Sequence, residues 1–206
     1  MSASTPNDAY TPSQVSAVTG LPLPALHKAI EYKLIRPRRV RNGHLVRRLL
    51  SRSQAVYLRR EAKGLRALPL AARRRVARAV ERDPGIDAML ISEGSVILIQ
   101  CKSARKEVDT GLRRLAAATS MAQSDPEIMR GAPVYRGTRI PVHAIADMLS
   151  QGATVAEILE GYPALTREKV ELAPMYATAF PLRGRPAMHS WAKRPPRRLS
   201  DRRLAS

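Results

Sequence analysis

The sequence predicts a mainly α fold with minor β structure (α+β), laid out in four segments along the chain. Three observations predict it. Helix-start signals recur: Thr11-Pro12-Ser13-Gln14, Pro69, Thr154 to Glu157 and Thr166 each set a capping hydroxyl or a proline ahead of a helical apolar stripe. Strand signals are confined to two short hairpins and one isolated piece. Charge is segregated: residues 1–80 carry 17 basic and 3 acidic side chains, residues 81–124 carry 6 of each, residues 125–179 carry 5 and 7, and residues 180–206 carry 8 and 1. In a chain of net charge +19, two cationic ends around a neutral and slightly acidic middle point to polyanionic partners.

Composition narrows the classes further. At 206 residues the chain can hold one large or two to three small domains. Aromatics make up 4%, with one Phe and one Trp, so small cores of Leu, Val, Ile and Ala are expected. No apolar run approaches the roughly 20 residues that cross a bilayer, and the start, MSASTPNDAY, lacks a basic stretch and an apolar run. Cys101 has no second cysteine to pair with and is expected as a buried thiol. A soluble cytoplasmic protein is the expectation.

Residues 1–82 form the first expected domain. Thr11 caps a helix with Pro12 at its first position and Gln14 closing the box, and Gly20 ends it in the left-handed region. A second helix over 23–34 keeps Leu23, Leu26, Ile30 and Leu34 on one stripe and shows His27, Lys28, Glu31 and Lys33 on the other face. Two short helices across a tight turn make a helix-turn-helix, and a cationic second helix suits a major groove. In RRVRNGHLVRR the pair Asn42-Gly43 favours a two-residue turn that sets Val40 opposite Leu45 and gathers Arg39, Arg41 and His44 on the other face. Such a hairpin is a wing. The expected DNA contacts are His27, Lys28, Lys33, Arg38, Arg39, Arg41, Asn42, His44 and Arg47. Helices over 53–63 and 69–82 follow, the latter carrying Arg73, Arg74, Arg75 and Arg78 toward phosphates. The run YTPSQVSAVTGLPLPALHKAIEYKLIRP resembles the opening of winged MerR-type or excisionase-type DNA-binding domains.

Residues 83–124 read as a linking or dimerising element: strands over 87–92 and 95–100 joined at Glu93-Gly94, then a helix over 105–121. The continuous run Val96 to Ile99 is expected to be covered on both faces. Asp87 with Gln100-Cys101-Lys102 resembles the carboxylate, amide and lysine of restriction-type nucleases, which hold Mg²⁺ and stabilise the attacked phosphate. A metal-dependent nuclease using Asp87, Gln100 and Lys102 is therefore a remote alternative.

Residues 125–180 hold the densest signals. Val134-Tyr135-Arg136 is strand-like. Pro141 opens a helix with Ile145, Met148 and Leu149 inward, and Thr154 to Glu157 caps a second with Val155, Ile158 and Leu159. Thr166 caps a third carrying Val170 and Leu172, which makes a three-helix, homeodomain-like bundle. The motifs Asp125-Pro126-x-Ile128-x-x-Gly131-x-Pro133, Arg136-Gly137-Thr138-Arg139-Ile140-Pro141-Val142 and Ile158-Leu159-x-x-Tyr162-Pro163-x-Leu165-Thr166 resemble the domain-of-unknown-function family four-three-three. Ala132 stands where that family usually has lysine, and Pro174 interrupts the last helix, so a kink re-aiming the chain exit is expected there.

The resemblance implies a VapB-type antitoxin encoded beside a PIN-like ribonuclease toxin. Residues 181–206, with four prolines and eight cations in residues 180–206, suit an extended arm that orders on binding. Leu182, Met188 and Trp191 would anchor it, and Arg183, Arg185, Arg194, Arg197 and Arg198 are the candidates to pair with the toxin's metal-binding carboxylates. The resulting expectation is an antitoxin of a type II toxin-antitoxin module. It has no enzymatic activity and no cofactor, binds double-stranded operator DNA as an autoregulatory repressor, and acts as a homodimer or a higher hetero-oligomer with the toxin. The alternative is a dimeric transcriptional regulator without a toxin partner.

Overall fold

The computed structural model describes residues 9–43, 45–83, 85–92 and 95–182. They form eight α-helices and three two-stranded antiparallel sheets, a mainly helical architecture. The N-terminal helices follow their caps. In α1 (Pro12–Thr19) the Thr11 hydroxyl accepts from Gln14 N–H while Gln14 Oε1 accepts from Thr11 N–H, and Gly20 ends it at φ +71°. Helix α2 (Leu23–Glu31) stops three residues short of the sequence expectation. Lys33 takes φ +55°, and Leu34 and Lys33 N–H donate to Ala29 and Ile30 carbonyls at 3.0 Å each, the paired bonds of a Schellman stop. Leu34 and Ile35 are buried beyond that stop rather than along the helix.

Strands β1 (Arg38–Asn42) and β2 (Leu45–Leu49) make the first hairpin, whose base is stapled where Leu50 pairs with Tyr10. Its register differs from the expected one by two positions on the partner strand, because the turn sits one residue later. Val40 faces Arg47 and Asn42 faces Leu45, so Gly43 at φ +59° opens the turn. The physical reason is burial: Leu45, Val46, Arg47 and Arg48 are all exposed, and a ribbon with no buried face takes no register information from its apolar pattern.

Helix α3 (Arg52–Ala62) starts at a Ser51–Gln54 capping box, and α4 (Leu70–Arg82) starts after Pro69. Between them lies a buried polar knot. Glu61, 2% exposed, accepts two bonds from Arg73 at 2.9 Å each and a third from the Tyr57 hydroxyl. Arg73 therefore faces the core and not a phosphate, contrary to its expected role.

Strands β3 (Ala88–Ser92) and β4 (Ser95–Leu98) form the second hairpin. Val96 and Leu98 are 63% and 66% exposed, so the apolar run is covered on one face only. Helix α5 (Cys101–Ser120) begins four residues earlier than expected. Asp87 accepts the Lys102 N–H at 3.1 Å and lies 3.1 Å from the Lys102 ammonium, which holds its carboxyl below the usual range. Gln100 turns into α5 at φ +53°. The carboxylate, amide and lysine thus sit at a helix start, with the carboxylate engaged by the lysine.

Strands β5 (Ala122–Gln123) and β6 (Val134–Tyr135) pair, and α6 (Val142–Ser150), α7 (Val155–Gly161) and α8 (Arg167–Ala179) follow. Ile145, Ile158 and Val170 meet in their shared core with Tyr135, Val142 and Leu172. Helix α8, where a kink is expected, runs as one helix through Pro174 to Ala179. Pro174 is exposed while Ala173, Tyr176 and Ala179 are buried, so packing on both sides holds the turn that lacks one hydrogen bond.

Two apolar cores share the long helices. One draws on α1 through α5 and includes Val15, Leu26, Leu50, Leu58, Val76, Val108 and also Ala179 of α8. The other is the α6–α8 core, and Phe180 packs against both.

Candidate nucleic-acid interface

The loop after α2 is held from two sides. Gln54 of α3 donates to the Arg36 carbonyl at 2.9 Å, and Arg74 of α4 donates to the Tyr32 carbonyl at 3.3 Å. Arg74 is thereby partly occupied in positioning this loop. The strained Lys33 and the loop then face the β1–β2 hairpin across a cleft of about 460 Å³. Its walls carry Lys33, Arg36, Arg39 and Arg48, with Glu31 as the one acidic residue.

The register explains why cations concentrate there. Arg39 sits directly opposite Arg48, and directly opposed residues in an antiparallel pair share a face. Like charges so placed destabilise the ribbon unless an anion lies between them. Lys33 adds a left-handed backbone that lysine resists, a local cost of about 1–2 kcal/mol. The repulsion at this exposed cleft is what an anionic ligand between the two arginines would relieve.

The expected contact residues divide into groups. Lys33 and Arg39 line the cleft. Arg41 lies on the same hairpin face as Arg39 and is exposed, whereas Arg38 and Arg47 lie on the other face, paired with Leu49 and Val40. His27 and Lys28 are exposed along α2. Asn42 is in β1 next to the turn, and His44 lies outside the described residues. Arg36 and Arg48 were missed by the sequence reading. Arg48 could have been found only with the register in hand, and Arg36 precedes a proline with no periodic signal around it.

A larger groove of about 760 Å³ runs between the start of α1 and the second half of α5. Tyr10, Leu112, Leu115 and Ala116 make it mostly apolar, and Arg52 there donates to Asp109 at 2.7 Å. It lacks the cation density of the cleft beside the hairpin.

The motif residues of the C-terminal segment serve internal structure. Arg136 reaches the carbonyls at the end of α5, Ser120 at 3.2 Å and Ala122 at 3.5 Å, while its N–H donates to Met121 O at 2.8 Å. A guanidinium at a helix C-terminus is favourably placed against the helix dipole. Gly137 turns at φ +76°, the Thr138 hydroxyl accepts from Ile140 N–H and donates to Tyr135 O, and Arg139 is exposed. Met129, Arg130 and Gly131 all take positive φ, and the segment returns to extended backbone at Ala132 before Pro133. Pro141 bridges to Val134 and precedes α6. Of the expected arm, Leu182 is exposed; Arg183, Arg185, Met188, Trp191, Arg194, Arg197 and Arg198 lie outside the described residues. Among the described residues no cluster of three metal-ligating side chains occurs, and no helix is long and apolar enough to cross a membrane.

No solved structure matches the chain. A relative named uncharacterized protein y4eO, from Sinorhizobium fredii, is 44% identical over 91 residues, covering 44% of this chain and 41% of that protein. The chain thus spans less than half the length of that relative. Residues 123–177, from β5 into α8, match the family described as protein of unknown function (DUF433).

Proposed function

We propose that the protein is a DNA-binding antitoxin in which the cleft between α2 and the β1–β2 hairpin holds the backbone of operator DNA. One observation carries this reading: Lys33, Arg36, Arg39 and Arg48 converge on a single cleft with one acid among them. Helix α2 would lie along the major groove with His27 and Lys28 outward, and the hairpin would act as the wing. The DUF433-type segment and the basic residues after it would engage a PIN-like ribonuclease toxin, with arginines opposing metal binding by its carboxylates. That second half rests on the family resemblance and on eight cations among residues 180–206.

The test has two arms. Binding of the full chain to the DNA upstream of its own gene is measured against salt; each phosphate contact contributes about 0.9 to the slope of log affinity against log salt. Co-expression with the product of the adjacent gene asks whether a stable complex purifies. DNA binding without a complex reduces the reading to a transcriptional regulator. No salt-dependent DNA binding removes it.

A further inference from the structure

We propose that the outward face of the β3–β4 hairpin is a homodimer interface, occupied by the same face of a second copy of this chain. The inference is independent of the nucleic-acid reading and starts from register. Ala88 pairs with Leu98 and Met89 with Ile97, so Ala88 and Leu98 lie on one face, Met89 and Ile97 on the other. Val96, two residues from Leu98, joins the first face. Met89 and Ile97 pack against the main core and Ile99 is fully buried, which fixes the hairpin to the body. Val96 and Leu98 point away from it at 63% and 66% exposure, and Ala88 is exposed beside them. The hairpin is thus anchored on one face and leaves its other, apolar face open to water.

Charge selects the occupant. From Asp83 to Cys101 the chain carries no lysine or arginine, although it holds 36 elsewhere and is +19 overall. A polyanion has nothing to bind on this face. Two copies of so cationic a chain repel one another at most approaches, and here that repulsion is least. A two-fold contact also requires a patch complementary to itself, which an uncharged apolar strand face is and a cationic one is not. Stacked face to face, the hairpins would bring Val96 and Leu98 of each copy against those of the other at the usual sheet spacing.

The experiment is light scattering of the full chain after gel filtration, across micromolar concentrations and two salt levels. The expected result is the mass of two 22.7 kDa chains, with association held or strengthened by salt as repulsion is screened. Val96→Glu with Leu98→Glu should give the monomer with an unchanged circular dichroism spectrum. Leu45→Glu at the first hairpin, where Leu45 is 58% exposed, should leave the dimer intact. If the double variant does not fold, Leu98→Ser replaces it and should weaken association by about tenfold. A monomeric wild type, a dimer that survives the hairpin substitutions, or equal dissociation by Leu45→Glu would each overturn the proposal. A wild type that is monomeric but retains a different protein through this face would overturn it too.

Discussion

Gly111 of α5 lies so close to Val18 of α1 that a Cβ built on the glycine would stand 2.9 Å from Val18 Cγ1 and 3.1 Å from the Val18 carbonyl oxygen. Gly111 is not needed for its dihedral angles, since it sits inside a regular helix. Its value is the close approach of two helices. In an open helix, replacing glycine by alanine stabilises by roughly 0.5–1 kcal/mol; here the added methyl meets backbone, and overpacking costs about 1–3 kcal/mol. Gly111→Ala should therefore lower the melting temperature, and Gly111→Leu should lower it further. A rise in the alanine variant would show that α1 and α5 slide apart freely.

The Tyr57–Glu61–Arg73 knot ties α3 to α4. Removing Arg73 leaves a carboxylate that is 2% exposed without its cation, so Arg73→Ala should cost about 3–5 kcal/mol in denaturant unfolding. Arg73→Lys should recover only part of it, because lysine cannot supply both bonds of the guanidinium fork.

The same knot gives an alkaline dependence. Burial, and then the bond to Glu61, raises the Tyr57 hydroxyl far above its ordinary 10.0. A group whose folded-state value is raised contributes stability that is complete below the unfolded value and is lost as pH rises past it. Stability should fall from about pH 10 upward. In Tyr57→Phe that decline should be shallower, with about 1 kcal/mol lost at neutral pH for the missing hydrogen bond. Burial also raises Tyr135, so a residual decline remains.

Lys33 separates binding from stability. Lys33→Gly relieves the φ +55° backbone and should leave the protein as stable or up to about 1 kcal/mol more stable. It should weaken DNA binding and reduce the salt slope by about one. Arg48→Ala should also reduce the slope. Arg38→Ala, on the other hairpin face, should change it less. Equal effects from Arg38 and Arg48 would argue against the cleft as the phosphate site.

Arg136 should behave as a helix cap. Arg136→Ala removes the bonds to Ser120 and Ala122 carbonyls and should destabilise by about 1 kcal/mol, with DNA affinity of the folded protein unchanged. A loss of binding without a loss of stability would move Arg136 into a contact surface.

Local chemistry was legible in the sequence where the deciding partner is a few residues away. The Thr11–Gln14 and Thr154–Glu157 boxes, the left-handed Gly20, and the strand pair around Glu93-Gly94 all follow from neighbours within one turn of chain. Periodicity also named Ile145, Ile158 and Val170 as core. The residues of 123–177 carry the DUF433-type motifs in plain sight for the same reason, since their turns are built from adjacent positions.

Tertiary structure alone decided the rest. The β1–β2 register, and with it the meeting of Arg39 and Arg48, cannot be read from the apolar pattern, because Leu45, Val46, Arg47 and Arg48 are all exposed. Arg73 and Arg78 look alike in sequence, yet only Arg73 meets buried Glu61. That α8 runs as one helix through Pro174 follows from its packing between α1, α5 and α6, where contacts on several sides outweigh one missing hydrogen bond. Propensity and capping act over three or four residues. Which cation stays in water and which is buried depends on elements that only folding brings together.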